Sequence, residues 1–247
     1  MKNILIIFLI TFLSATNIFS QDISKIIPDT IENGFFETKY GNLRIAGNFK
    51  NHQRNGDWFT YFASGQIHIF EQFKNGKKNG LYLRIGKRGY IEEQTNYLND
   101  SLDGKKILFN LGGRIQLEEN YENGLLNGLR KVYYERGEIQ EEATYVKGNK
   151  TGKSIWYDMK SNIIAEYNYL NGEFNGLQIT YYSNGNIKSS QNFKANIKNG
   201  KLTEYYSNGK VRISGNYLND SKDGAWSTYH ANGNLVKTET FVNGNKQ

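Results

Sequence analysis

Gly200-Lys201-Leu202-Thr203-Glu204-Tyr205-Tyr206-Ser207-Asn208-Gly209-Lys210-Val211-Arg212-Ile213-Ser214-Gly215-Asn216-Tyr217-Leu218-Asn219-Asp220-Ser221-Lys222-Asp223, closed by Gly224, is one period of a repeat. Two runs rich in β-branched and aromatic residues flank an Asn-Gly turn, which is the composition of a β-hairpin. Working outward, Gly56, Gly80, Gly104, Gly128, Gly152, Gly176, Gly200 and Gly224 stand 24 residues apart without insertion or deletion. Internal repetition therefore governs the architecture. Glycine recurs too often for helix, and the lone proline, Pro28, precedes the repeats, so nothing interrupts a backbone ladder.

Counting each unit from its leading glycine as position 0, position 11 is aliphatic throughout (Leu43, Ile67, Ile91, Ile115, Ile139, Ile163, Ile187, Val211, Leu235). Position 17 is aromatic throughout (Phe49, Phe73, Tyr97, Tyr121, Tyr145, Tyr169, Phe193, Tyr217, Phe241). Position 5 is Tyr61, Ile85, Phe109, Tyr133, Tyr157, Tyr181, Tyr205 and Tyr229. Strand alternation puts positions 3, 5, 11 and 17 on one apolar face and the polar positions 12, 14 and 16 on the other. A lone hairpin is marginal in water, so the units are expected to stack side by side as one cooperative body. The fold expected is all-β: an elongated, single-layer, antiparallel sheet of tandem hairpins. It spans residues 34–247, with one shortened unit and eight of full period. Position 20 holds only Gly, Asn, Asp or His, the residues that tolerate positive φ, and is expected in the left-handed region.

Residues 1–20 stand outside the pattern. Lys2 supplies one charge, Ile4 to Leu13 is apolar apart from Thr11, and Ser14 to Ser20 turns small and polar, the layout of a secretory signal peptide. Cleavage is expected after Ser20 or near Ala15, leaving 21–33 as a lead segment and no retained transmembrane helix. With no cysteine there is neither lipidation at cysteine nor a disulfide, so an exported chain, periplasmic or extracellular, relies on packing and backbone pairing. The net charge of +7 falls to +6 once Lys2 is removed. The 31 basic residues are interspersed with 24 acidic ones, so weak attraction to anionic surfaces follows and a nucleic-acid site does not.

No catalytic, cofactor or metal constellation is expected. His52, His68 and His230 fall in different units and columns. Glu92-Glu93, Glu118-Glu119 and Glu141-Glu142 are adjacent strand residues that point to opposite faces and cannot converge as a dyad, which leaves them as solvated pairs. Asn99 to Gly104 and Asn219 to Gly224 lack the closing glutamate of a calcium loop and read as ordinary turns.

Units such as Tyr169-Leu170-Asn171-Gly172-Glu173-Phe174-Asn175-Gly176 with Tyr181-Tyr182-Ser183-Asn184-Gly185 resemble the bacterial variant of the MORN repeat, over residues 34–247. The resemblance implies a twisted single-layer sheet of hairpins and a scaffold for protein or phospholipid contacts. It extends to YwqK-type antitoxin-like proteins, and it carries no catalytic residues. Candidate specificity residues are the aromatics at positions 2, 4 and 6, namely Trp58, Tyr134, Trp156, Tyr182, Tyr206 and Trp226. On the face opposite the apolar column they would stack on sugars or anchor a partner; alternatively, a curved sheet partly buries both faces. The expected function is a non-enzymatic, exported scaffold for a protein partner. The alternatives are binding of an envelope glycan or membrane headgroups, and neutralisation of an envelope or extracellular toxin.

Overall fold

The computed structural model describes residues 30–247, so the expected signal peptide, and with it most of the expected 21–33 lead, lies outside the described residues. The described chain forms 21 strands in one open antiparallel sheet. Each strand pairs with its neighbours in the chain, as Leu43–Lys50 does with Gly34–Tyr40 on one side and Gln53–Tyr61 on the other. Residues ahead of Gly34 already keep the repeat's contacts: Glu32 accepts from the His52 amide, Asn33 accepts from the Asn51 amide, and Ile31 packs on the first core cluster.

Two turn types alternate. Units are joined by two-residue loops such as Asn51-His52, Asn99-Asp100 and Asn219-Asp220, with positive φ at both residues. This is the type I′ geometry that matches strand twist. Position 20 is left-handed in every unit, from His52 (φ 61°) through Asn196 (φ 65°) to Gly244 (φ 84°). Within a unit the Asn-Gly turn is different. The Gly185 amide donates to Tyr182 O while the Tyr182 amide donates to Asn186 O, and Gly185 alone has positive φ, which is a type I turn closed by a glycine bulge.

One further bulge per full unit sets the faces. Thr60 pairs with Ile69 and Tyr61 with Ile67, so His68 at position 12 is extra. The same shift recurs at Glu92, Gln116, Gln140, Ile164, Lys188, Arg212 and Val236. An extra residue reverses the alternation beyond it. Positions 11 and 17 therefore lie on opposite faces, which corrects the single apolar face expected from the sequence. Position 11 joins positions 3 and 5 on an outer face. The position 17 rings join positions 2, 4, 13 and 15 on an inner face, which holds nearly all the buried side chains.

The strand bends at each leading glycine, where φ runs from 69° at Gly152 to 115° at Gly80 and the ladder to the preceding strand opens by two residues, as between Ala143/Ser154 and Thr144/Thr151. The open backbone groups are met by side chains. Leu81 N donates to Gln72 Oε1, Asn120 Nδ2 donates to Leu129 O, and Trp58 Nε1 donates to Asn48 O. A Cβ on Gly80 would sit 2.3 Å from Gln72 Oε1, so the amide column at position 16 and the glycine column are one device.

The inner face changes character along the array. Near its start Ile45, Phe49, Trp58 and Phe73 form an apolar cluster with Phe49 and Trp58 edge to face at 5.3 Å. Near its end Trp226 packs on Tyr217 at 5.0 Å. Between them the interior is polar, with Glu93, Glu119, Glu141, Thr95, Ser154, Gln178 and Gln191 buried. One member of each adjacent glutamate pair thus faces inward, which corrects the solvated-pair expectation. Arg130 bridges Glu119 at 3.0 Å and Glu141 at 3.2 Å, and Lys150 and Ser154 also reach Glu141. The inward curl brings position 22 over the rings: Arg54 lies 3.8 Å from the Phe73 centroid, Lys78 lies 5.2 Å from that of Tyr97, and Lys222 lies between Trp226 (4.4 Å) and Phe241 (4.8 Å).

Candidate interaction surface

The six aromatics singled out from the sequence do not form one exposed row. Trp58 and Trp226 are only 2% and 6% exposed and belong to the inner packing, because alternation sets position 2 opposite position 5 and the bulge at position 12 brings the position 17 rings onto that same face. Trp156 is half-buried on the same inner face, its indole N–H buried without a hydrogen-bond partner. Tyr134, Tyr182 and Tyr206, at position 6, sit at the loop edge. Their hydroxyls donate to Tyr157 O, Tyr205 O and Tyr229 O at 2.7 to 2.8 Å, stitching each loop to the next unit. They hold the array in register instead of offering a free polar tip.

The aromatics that do form a row along the outer face are those of position 5. Tyr133, Tyr157, Tyr181, Tyr205 and Tyr229 occupy five consecutive units on the outer face, each half-buried, each opposite the aliphatic residue of position 11. Tyr157 and Tyr181 lean towards the preceding unit and donate to Glu142 at 3.2 Å and Glu166 at 3.1 Å. Burial, followed by the nearby carboxylates, pushes the phenols of Tyr133, Tyr157 and Tyr181 upward, so they stay protonated donors at neutral pH. Glu166 is held below the usual carboxylate range chiefly by its bond to Lys153, 2.6 Å away. Glu142 is paired with Lys131 at 2.8 Å. In the last units the same position carries Ser190 and Ser214, so Tyr205 and Tyr229 face a serine where Tyr157 and Tyr181 face Glu142 and Glu166.

No second layer covers this stripe among the described residues. At its amino-terminal end the shortened unit turns through Gly41-Asn42 without a bulge. That leaves an open cleft of about 830 Å³ lined by Tyr40, Leu43, Phe62, His68, Lys87 and Glu92, among others. His68 Nδ1 is fixed 2.9 Å from Ile85 O, and its ring lies 4.3 Å from that of Phe62. The residues of the outer stripe were visible in the sequence, but the bulge that moves the position 17 rings away from them to the tryptophans' face was not.

The profile of the MORN repeat variant matches residues 126–147, 174–195, 198–219 and 222–243, each running from position 22 of one unit to position 19 of the next. These four segments are MORN repeats of that variant. Units outside the matched segments keep the same turns and bulges, so the array is uniform in backbone over the described full-length units. No curated protein sequence matches the chain. Similar solved structures include a GtfA/B complex bound to UDP and GlcNAc (16% identity, 45% of this chain and 22% of that chain, TM-score 0.22). They also include TarM (12%, 62% and 24%, 0.23) and a Photorhabdus luminescens Tc holotoxin pore (10%, 81% and 13%, 0.19). The chain spans a quarter or less of the length of each, and TM-scores this low bear on neither its fold nor its function.

Proposed function

We propose that this MORN-repeat protein is an exported, non-enzymatic scaffold that holds a protein partner along its outer sheet face. The observation that carries the proposal is the uncovered stripe of position 5 aromatics and position 11 aliphatics, continuous across the units. Monomeric soluble domains rarely leave a long apolar strip without a use, and a repeat array offers contact area that grows with each unit. Export rests on the layout of Lys2, the Ile4 to Leu13 apolar run and the small, polar Ser14 to Ser20 segment.

The test is affinity capture from envelope extracts with residues 21–247, comparing the natural chain with a Tyr181→Ala/Tyr205→Ala variant of equal thermal stability. Recovery of one stoichiometric protein by the natural chain, lost with the variant, supports the scaffold. Saturable binding of purified envelope glycans or lipid headgroups without any protein would replace it by ligand binding. Recovery of a toxin whose activity is suppressed would turn the scaffold into an immunity function.

A further inference from the structure

The tyrosine row is periodic, and its period selects among the conformations a partner chain can adopt. Each 24-residue unit contributes two strands to the sheet, so chemically equivalent positions recur about every 9.6 Å. An α-helix advances about 5.4 Å per turn, and a β-strand repeats its side chains about every 6.8 Å, so neither stays in step. A polyproline II chain has three residues per turn and a rise of about 3.1 Å, or about 9.3 Å per turn. Over the four intervals between Tyr133 and Tyr229 the mismatch sums to only about 1.2 Å.

We propose that the outer tyrosine row is a docking track for a polyproline II segment of the protein partner, one turn to each repeat. This rests on the protein-partner proposal above. The chemistry suits that ligand in two ways. A polyproline II backbone makes no internal hydrogen bonds, so its carbonyls are open to donors. The phenols of Tyr205 and Tyr229, facing serines where Tyr157 and Tyr181 face Glu142 and Glu166, are placed to donate to them. Proline rings pack on aromatic faces, and here the spaces between successive tyrosines are lined by Ile155, Ile179 and the position 11 aliphatics Ile163 and Ile187, with Ile163 and Ile187 38% and 36% exposed.

The test uses residues 21–247 and oligoproline peptides of about 6, 9 and 12 residues, with Gly-Ser peptides of equal length as controls. Affinity by calorimetry is expected to rise several-fold with each added turn. It should fall about tenfold with Tyr181→Ala/Tyr205→Ala, as truncating central aromatic contacts does, and stay unchanged with Leu177→Ala elsewhere on the unit. Hydrogen exchange on the natural chain should show protection confined to the position 5 strands. Equal binding of the Gly-Ser controls, no saturable binding at millimolar peptide, or binding that the double variant leaves intact would each overturn the track. If envelope capture succeeds while oligoproline neither binds nor displaces the captured protein, the track falls and the scaffold stands. If capture also fails, both fall.

Discussion

Trp226 lies so closely against Gly215 on the neighbouring strand that a Cβ on the glycine would stand 2.3 Å from Trp226 Cδ2. Trp58 and Gly47 repeat the relationship at the other end of the array, at 2.2 Å. The glycine at position 15 is thus set by ring contact and not by its backbone, since Gly47 and Gly215 have no positive φ. Gly215→Ala should cost about 1 to 3 kcal/mol by overpacking. Trp226→Ala should cost about 3 to 5 kcal/mol because a buried ring is removed, more than the half-buried Tyr169→Ala in mid-array. In the Trp226→Ala background, Gly215→Ala should become nearly neutral. Urea melts of the four proteins measure this coupling; additive losses would show that the ring does not exclude the methyl group.

Much of this was legible because it rests on local backbone demands. The hairpin period follows from glycines at fixed intervals, and the left-handed turns follow from a column restricted to Gly, Asn, Asp and His. The faces were not legible. A bulge at position 12 leaves no compositional mark, since His68, Gln116, Ile164 and Lys188 all fill it, yet it separates the faces of positions 11 and 17. For the same reason Trp58 and Trp226 looked external and are internal. Glu119 and Glu141 looked solvated because nothing local tells a strand residue that a cation on the next unit will meet it.

Arg130 bridges two buried carboxylates, Glu119 and Glu141, that are 8% and 4% exposed, and Lys150 supplies the second positive charge at Glu141. Removing one partner of a buried pair strands the other charge, at about 3 to 5 kcal/mol. Arg130→Met should therefore unfold at much lower urea than the natural chain. Adding Glu119→Gln to that variant should recover part of the loss. A variant as stable as the natural protein would mean that water already screens this interior.

Alkaline pH should unfold the array before it unfolds a tyrosine-poor sheet. Burial raises Tyr97 from 10.0 to about 12, with Glu93 adding to the shift, and it raises Tyr82, Tyr121 and Tyr169 as well. Each of these phenols ionises more readily in the unfolded chain. Their contribution is fully present below the unfolded value of 10.0 and is lost as pH rises towards the folded value, about 12 for Tyr97. Urea midpoints should hold steady up to about pH 9 and fall steeply above about pH 10, and Tyr97→Phe should make that fall shallower. A midpoint unchanged through about pH 11 would show that the folded phenols ionise as freely as unfolded ones.

The loop Ala195-Asn196 breaks the pattern of its column. Position 19 is Asn in Asn51, Asn75, Asn99, Asn123, Asn171, Asn219 and Asn243, all with φ near 50°, whereas Ala195 holds the same φ of 50° without a side chain that can hydrogen-bond locally. A left-handed residue other than Gly, Asn or Asp costs about 1 to 2 kcal/mol through the clash of Cβ with the following carbonyl. Asn196 beside it still does its part, accepting from the Phe174 amide at 2.7 Å, so the loop is intact apart from this one residue. Ala195→Asn should raise stability by up to about 1 kcal/mol, and Ala195→Gly by a similar amount less the added freedom of the unfolded chain. Both residues are exposed, so no packing change obscures the comparison. Urea melts of the two variants decide it: a gain in both places the strain at Ala195, whereas a loss in both would mean that the loop relaxes out of the left-handed region in solution.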